Sequence, residues 1–141
     1  MPSAAIMVDT WAWIALYNPA DHYHDVAQIA SEELLAAGYR WLTTNFVLDE
    51  TYTALRRWAS AARAIGFGHR IRAIAESGML EIIAITPKIE QMAWQLFERY
   101  DEVPALSYTD CTTFAVMQQR NVSMAFTGDE HFHVFGFVTR P

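Results

Sequence analysis

The chain alternates short apolar runs with longer stretches in which apolar residues recur every three or four positions, a pattern of strands interleaved with amphipathic helices. "AAIMV" (4–8) predicts a short buried strand ending at Asp9, followed by a helix from Thr10 to Tyr17 that Asn18-Pro19 stops. "DHYHDVAQIASEELLAAG" (21–38) reads as an amphipathic helix closed by Gly38, and "RWLTT" (40–44) as a second strand. "NFVLDETYTALRRWAS" (45–60) and "ARAIGFGHRIRAIAES" (62–77) predict a helical hairpin. "GMLEIIAI" (78–85) carries the strongest strand signal. Thr86 then supplies an N-cap and Pro87 the first position of a helix reaching Tyr100. A loop, "DEVPAL" (101–106), leads to a helix capped by Ser107. The pattern ends with a strand "SMAFT" (123–127), a turn at Gly128 and a last strand "HVFGFV" (133–138).

Strands separated by single helices or helix pairs imply a parallel sheet covered on both faces. The expectation is an α/β three-layer sandwich with a central sheet of four to five parallel strands flanked by helices. With 141 residues and no repeat or linker, one domain spanning 1–141 is expected. No apolar run reaches the roughly 18 residues of a membrane helix, and "MPSAAIMVDT" shows no basic leader; the expectation is a soluble, cytoplasmic chain without a membrane partner. Cys111, the single cysteine, excludes an internal disulfide and reads as a small buried hydrophobe.

Net charge is −6, which by itself counts against nucleic acid, since phosphate backbones are bound through Lys and Arg. The basic residues are unevenly placed, however. Five of the ten, Arg56, Arg57, Arg63, Arg70 and Arg72, fall in one stretch together with His69. Guanidinium forks bind phosphates bidentately, so this stretch is a candidate phosphate contact; it reads equally well as a solvated helix surface.

In an open parallel sheet, ligands bind beyond the carboxyl ends of the strands. Four acids occupy such positions: Asp9 after the first strand, Glu50 early in the helix after the second, Asp110 in a first helical turn, and Asp129 after "AFTG". Each also has a structural reading. Asp9 could cap a helix, Glu50 could pair with Arg57, Asp129 could be a turn residue, and Asp110 could form a capping box with Ser107. Four acids at one edge would repel each other unless a cation or shared proton relieves them. Hard oxygen ligands alone suit Mg2+ or Mn2+ rather than zinc. The pairs His22/His24 and His131/His133 have no cysteine beside them and lie near loops or element ends, so a zinc site is set aside. "GFGHRI" lies inside a helical stretch and lacks the third glycine of a dinucleotide fingerprint.

"IMVDTWAWIALYNPADHYH", "TTNFVLDETYTAL", "LSYTDCTTFAVM" and "FTGDEHF" resemble, in order and spacing, the acidic motifs of PIN-domain ribonucleases, most closely the VapC-type toxins of toxin–antitoxin pairs. The resemblance implies a PIN-type sheet and Mg2+- or Mn2+-dependent RNA cleavage by Asp9, Glu50, Asp110 and Asp129. It matches Thr127 and Thr10 to the family's hydroxyl positions, and it favours Glu50 over the adjacent Asp49 and Asp129 over the adjacent Glu130. It further implies a homodimer, and a small antitoxin held in a groove near the first helix. That helix, "WAWIALY" (11–17), is apolar on every side, so it is either buried or an interface; Trp11, Trp13 and Tyr17 as interface anchors are the expectation. Two rivals remain, an RNA-processing nuclease that is not a toxin and an RNA-binding or scaffold protein without turnover.

Overall fold

The computed structural model of the protein describes residues 4–141. Residues 1–3, the start of the stretch read as lacking a leader, lie outside them. The elements follow the order β1 (Ala5–Val8), α1 (Thr10–Tyr17), α2 (His24–Ala36), β2 (Arg40–Thr44), α3 (Asn45–Trp58), α4 (Ala61–Glu76) and β3 (Leu80–Ile83). They continue with α5 (Pro87–Arg99), α6 (Tyr108–Arg120), β4 (Met124–Phe126), α7 (His131–Val134) and β5 (Val138–Arg140). The strands form one parallel sheet in the order β3-β2-β1-β4-β5. Five parallel strands flanked by helices is the architecture expected from the sequence.

Strand alternation sorts the core. Ile6 and Val8 of β1, with Trp41 of β2, face a layer built by α1, α2, α3 and α4. Met7 and Leu42 point the other way, onto Ile83, Ala93 of α5 and the buried run Phe114–Met117 of α6. β1 is therefore buried on both sides, as a central parallel strand must be. It is also the point where connections turn from one side of the sheet (β2, β3) to the other (β4, β5), which opens a crevice at the strands' carboxyl ends.

Caps place the helices as their sequences suggest. Thr44, Ser60 and Thr86 each accept a hydrogen bond from the backbone N–H three residues on. One element differs from expectation. Residues 131–134 are a helical turn, and the last strand is Val138–Arg140 instead of 133–138. The cause is aromatic spacing: Phe132 and Phe135, three apart, both pack on Phe114, with ring centroids 4.8 and 4.2 Å away. Gly136, at φ +79°, then releases the chain into β5. Among the described residues no helix is long and apolar enough to cross a membrane.

Candidate active site

Asp9 occupies the N-cap position of α1 but its side chain makes no capping bond. Instead Oδ2 accepts a hydrogen bond of 2.9 Å from Thr127 Oγ1, and the same hydroxyl oxygen accepts the Asp129 N–H at 3.0 Å. Thr127 thus ties the carboxyl ends of β1 and β4 together, reinforced by the Asp9 N–H donating to Phe126 O at 3.2 Å. Gly128 must lack a side chain, because a Cβ there would sit 2.4 Å from the Trp11 ring. Trp11 packs over this turn and is itself held by Tyr23, 5.2 Å away.

Glu50 is fixed from the other side, where Thr10 Oγ1 donates to its Oε1 at 2.9 Å. Its neighbour Asp49 is exposed, as is Glu130 beside Asp129. Asp110 performs two jobs. It forms a capping box with Ser107, whose Oγ accepts the Asp110 N–H at 2.9 Å while Asp110 Oδ2 accepts the Ser107 N–H at 3.2 Å. The same Oδ2 lies 3.6 Å from His131 Nδ1.

Electrostatics follow from this crowding. Burial, then the charges of Asp110 and Asp129, push the Asp9 carboxyl up to about 7, against the lowering effect of the Thr127 hydroxyl and the Thr10 N–H. Burial likewise raises Asp110 to about 6, with Asp129 and Glu50 adding to it and the Ser107 N–H and His131 opposing it. Glu50 and Asp129 are therefore close enough to be felt electrostatically at Asp110.

His131 was set aside in the sequence as half of a His-x-His pair, and the structure places it in this cluster. Its Nδ1 is 2.9 Å from Asp129 Oδ1, and one ligand atom each from Asp110, Asp129 and His131 lie within 4.8 Å of one another. Its Nε2 lies 2.8 Å from Pro104 O and donates to it. Burial lowers the imidazole pKa, but the Pro104 carbonyl and the carboxylates of Asp129 and Asp110 outweigh it and leave a net rise. The signal available in the sequence was the two-residue spacing of Asp129 and His131 in "GDEH", on the turn that leaves β4.

The remaining candidates divide. Trp13 is 2% exposed; its Nε1 donates to Thr43 Oγ1 at 3.1 Å and its ring packs on Trp41 and Phe67. It is a core residue and is not available as an interface anchor, a correction to the expectation for α1. Tyr17 and Trp11 are only half-buried. The arginines do not form one patch. Arg56 and Arg72 line a cavity with His69 and Tyr52, whereas Arg70 hydrogen-bonds Tyr17 in a groove between α1, α2 and α4. Arg57 and Arg63 are exposed.

The family model of the PIN domain matches residues 6–138. The chain belongs to the PIN-domain family. Over 135 residues it is 34% identical to the 23S rRNA-specific endonuclease VapC20 of Mycobacterium tuberculosis, covering 94% of this chain and 95% of that protein. A VapC ribonuclease of Archaeoglobus fulgidus is 26% identical over 121 residues, 85% of this chain and 74% of the relative. The crystal structure of M. tuberculosis VapC20, a Sarcin-Ricin loop cleaving toxin, superposes with a TM-score of 0.83 over 97% of this chain and 100% of its own. VapBC2 from Rickettsia felis, bound to a DNA fragment from its promoter, shares the PIN fold at 16% identity, with a TM-score of 0.69 over 96% of this chain and 97% of its own.

Proposed function

We propose that this PIN-domain protein is an endoribonuclease that hydrolyses RNA phosphodiester bonds with a bound Mg2+ or Mn2+, and that it is the toxin of a type II toxin–antitoxin pair. The reading rests on Asp9, a carboxyl 4% exposed that is held by Thr127 and faces the charges of Asp110 and Asp129. Apart from the capping box of Asp110, folding gains little from burying mutually repelling acids at a sheet edge, and a cation is the occupant that would relieve them. The donor set fits one, because carboxylates dominate it and the buried His131 Nδ1 beside them has no hydrogen-bond partner.

Asp9 and Asp110 are the principal ligands in this reading, with Asp129 and Glu50 completing the site and orienting the attacking water. When bound, a divalent cation supplies Lewis acidity at a phosphoryl oxygen and lowers the pKa of water. Thr127 fixes Asp9 and the backbone of Asp129, and Thr10 fixes Glu50. Arg56 and Arg72 hold the RNA backbone. The partners are RNA, with the 23S rRNA cut by the M. tuberculosis relative as the first substrate to test, a small antitoxin, and a second copy of the chain. The toxin reading is favoured over a processing nuclease because the relatives that match along nearly the whole chain are VapC proteins.

The test incubates the purified chain with 23S rRNA, total RNA and a transfer RNA pool in Mg2+ or Mn2+. Discrete cleavage that EDTA stops and Asp9→Ala abolishes is expected. Cleavage that persists in EDTA, or that survives loss of Asp9, would falsify the mechanism.

A further inference from the structure

We infer that His131 is a metal ligand through Nδ1, and that this nitrogen makes the site prefer Mn2+ to Mg2+. The inference rests on the metal-dependent reading above and adds an imidazole to what was an all-oxygen set.

The tautomer carries the argument. Pro104 O is a carbonyl and only accepts, so the nitrogen 2.8 Å from it, Nε2, bears the hydrogen. In the neutral ring Nδ1 is then a bare lone pair. It is shielded from solvent and forms no hydrogen bond, although Asp129 Oδ1 lies 2.9 Å away and Asp110 Oδ2 lies 3.6 Å away. A lone pair this close to two carboxylates is repulsive unless something positive, a cation or a proton, lies among them. The separations suit a shared ion, since ligands at right angles with bonds of about 2.1 Å are about 3 Å apart. Anchoring the far N–H of the ring on a backbone carbonyl is the arrangement that ligating histidines use to fix ring orientation.

The turn is rigid enough to hold the ligand. Phe132, next in the chain, is fully buried against Phe114, and the His131 N–H donates to Asp129 Oδ1 at 2.9 Å. Mg2+ takes oxygen donors and keeps its waters, whereas imidazole nitrogen adds affinity for transition metals. The competing occupant is a proton, which would make His131 a cation paired with both acids and a competitor of the metal.

Mn2+ bound to the full-length chain is examined by electron spin-echo modulation, with Mn2+ and Mg2+ affinities measured by calorimetry for wild type, His131→Ala and His131→Gln. Modulation from a directly bound imidazole nitrogen is expected in the wild type and absent from both variants. The Mn2+ dissociation constant should rise about 10–100-fold in the variants, while that of Mg2+ changes less than about threefold. A wild-type spectrum without nitrogen coupling overturns the inference even if a variant misfolds, and so does a variant that binds both metals as tightly as the wild type. If Mn2+ binds without nitrogen, the nuclease reading stands and only the role of His131 falls. If neither ion binds at millimolar concentration, both fall.

Discussion

Replacing Asp9 with asparagine should make the metal-free protein more stable while removing its activity. Below pH 3.8 the Asp9 carboxyl is protonated in both folded and unfolded chains and contributes nothing. Between 3.8 and about 7 the folded chain keeps a proton that the unfolded chain has lost, so stability falls as pH rises. Above 7 the full penalty is expressed, about 4 kcal/mol for a displacement of this size. Asparagine removes the charge but keeps one acceptor, so the loss of one of the hydrogen bonds from Thr127 and the Thr10 N–H takes back about 1 kcal/mol. The net gain at pH 8 in EDTA is about 2–3 kcal/mol, or roughly 6–12 °C in melting temperature for a chain of this size. At pH 5 the gain should shrink to under about 1 kcal/mol, because the wild-type carboxyl is then largely protonated when folded. Adding Mn2+ should raise the wild-type midpoint much more than the variant's. Calorimetric melts at both pH values decide the matter: a variant that melts at or below wild type at pH 8, or a gap indifferent to pH, refutes the idea that Asp9 is held as a strained, cation-seeking acid.

Thr127→Val keeps the shape and removes the hydroxyl that joins Asp9 to the Asp129 N–H, so kcat should fall about 10–100-fold with KM little changed, as read by single-turnover cleavage. Gly128→Ala drives a methyl into Trp11 and should cost about 1–3 kcal/mol in denaturant unfolding, a cost that the double variant Gly128→Ala/Trp11→Leu partly recovers. Arg56→Ala and Arg72→Ala should each weaken RNA binding and lower the slope of log affinity against log salt by about 1, without altering the metal affinity.

Much of the fold was legible because its signals are local. Thr86 followed by Pro87, and Ser107 followed by Asp110, cap their helices by bonds between residues three apart, and β1 declares itself by being apolar on both faces. Asp110 shows where locality stops. Its capping box was readable from spacing, while the approach of the same carboxylate to His131 depends on a turn that comes back from beyond β4. The sequence pattern puts a strand over 133–138 and sets the His131/His133 pair aside as a zinc site, and it misses the place of His131 in the cluster for one reason. The helical geometry of 131–134 is imposed by Phe114, a residue on another element, against which Phe132 packs edge-on and Phe135 stacks.

The same logic governs α1 and the arginines. An all-apolar helix announces that it is covered without saying by what, and here Trp41, Phe67 and Thr43 of the protein's own core take Trp13. The basic stretch looks like one patch only on paper, since residues two apart on a helix point about 200° from each other. Arg70 and Arg72 accordingly face different cavities, one shared with Tyr17 and the other with Arg56 and His69. Charge counted along the chain overstates what one strand of RNA meets. An RNA lying across the α3–α4 hairpin therefore meets Arg56 and Arg72 and loses a contact when either is replaced, whereas Arg70→Ala should loosen the α1 groove and leave the salt dependence of RNA binding where it was.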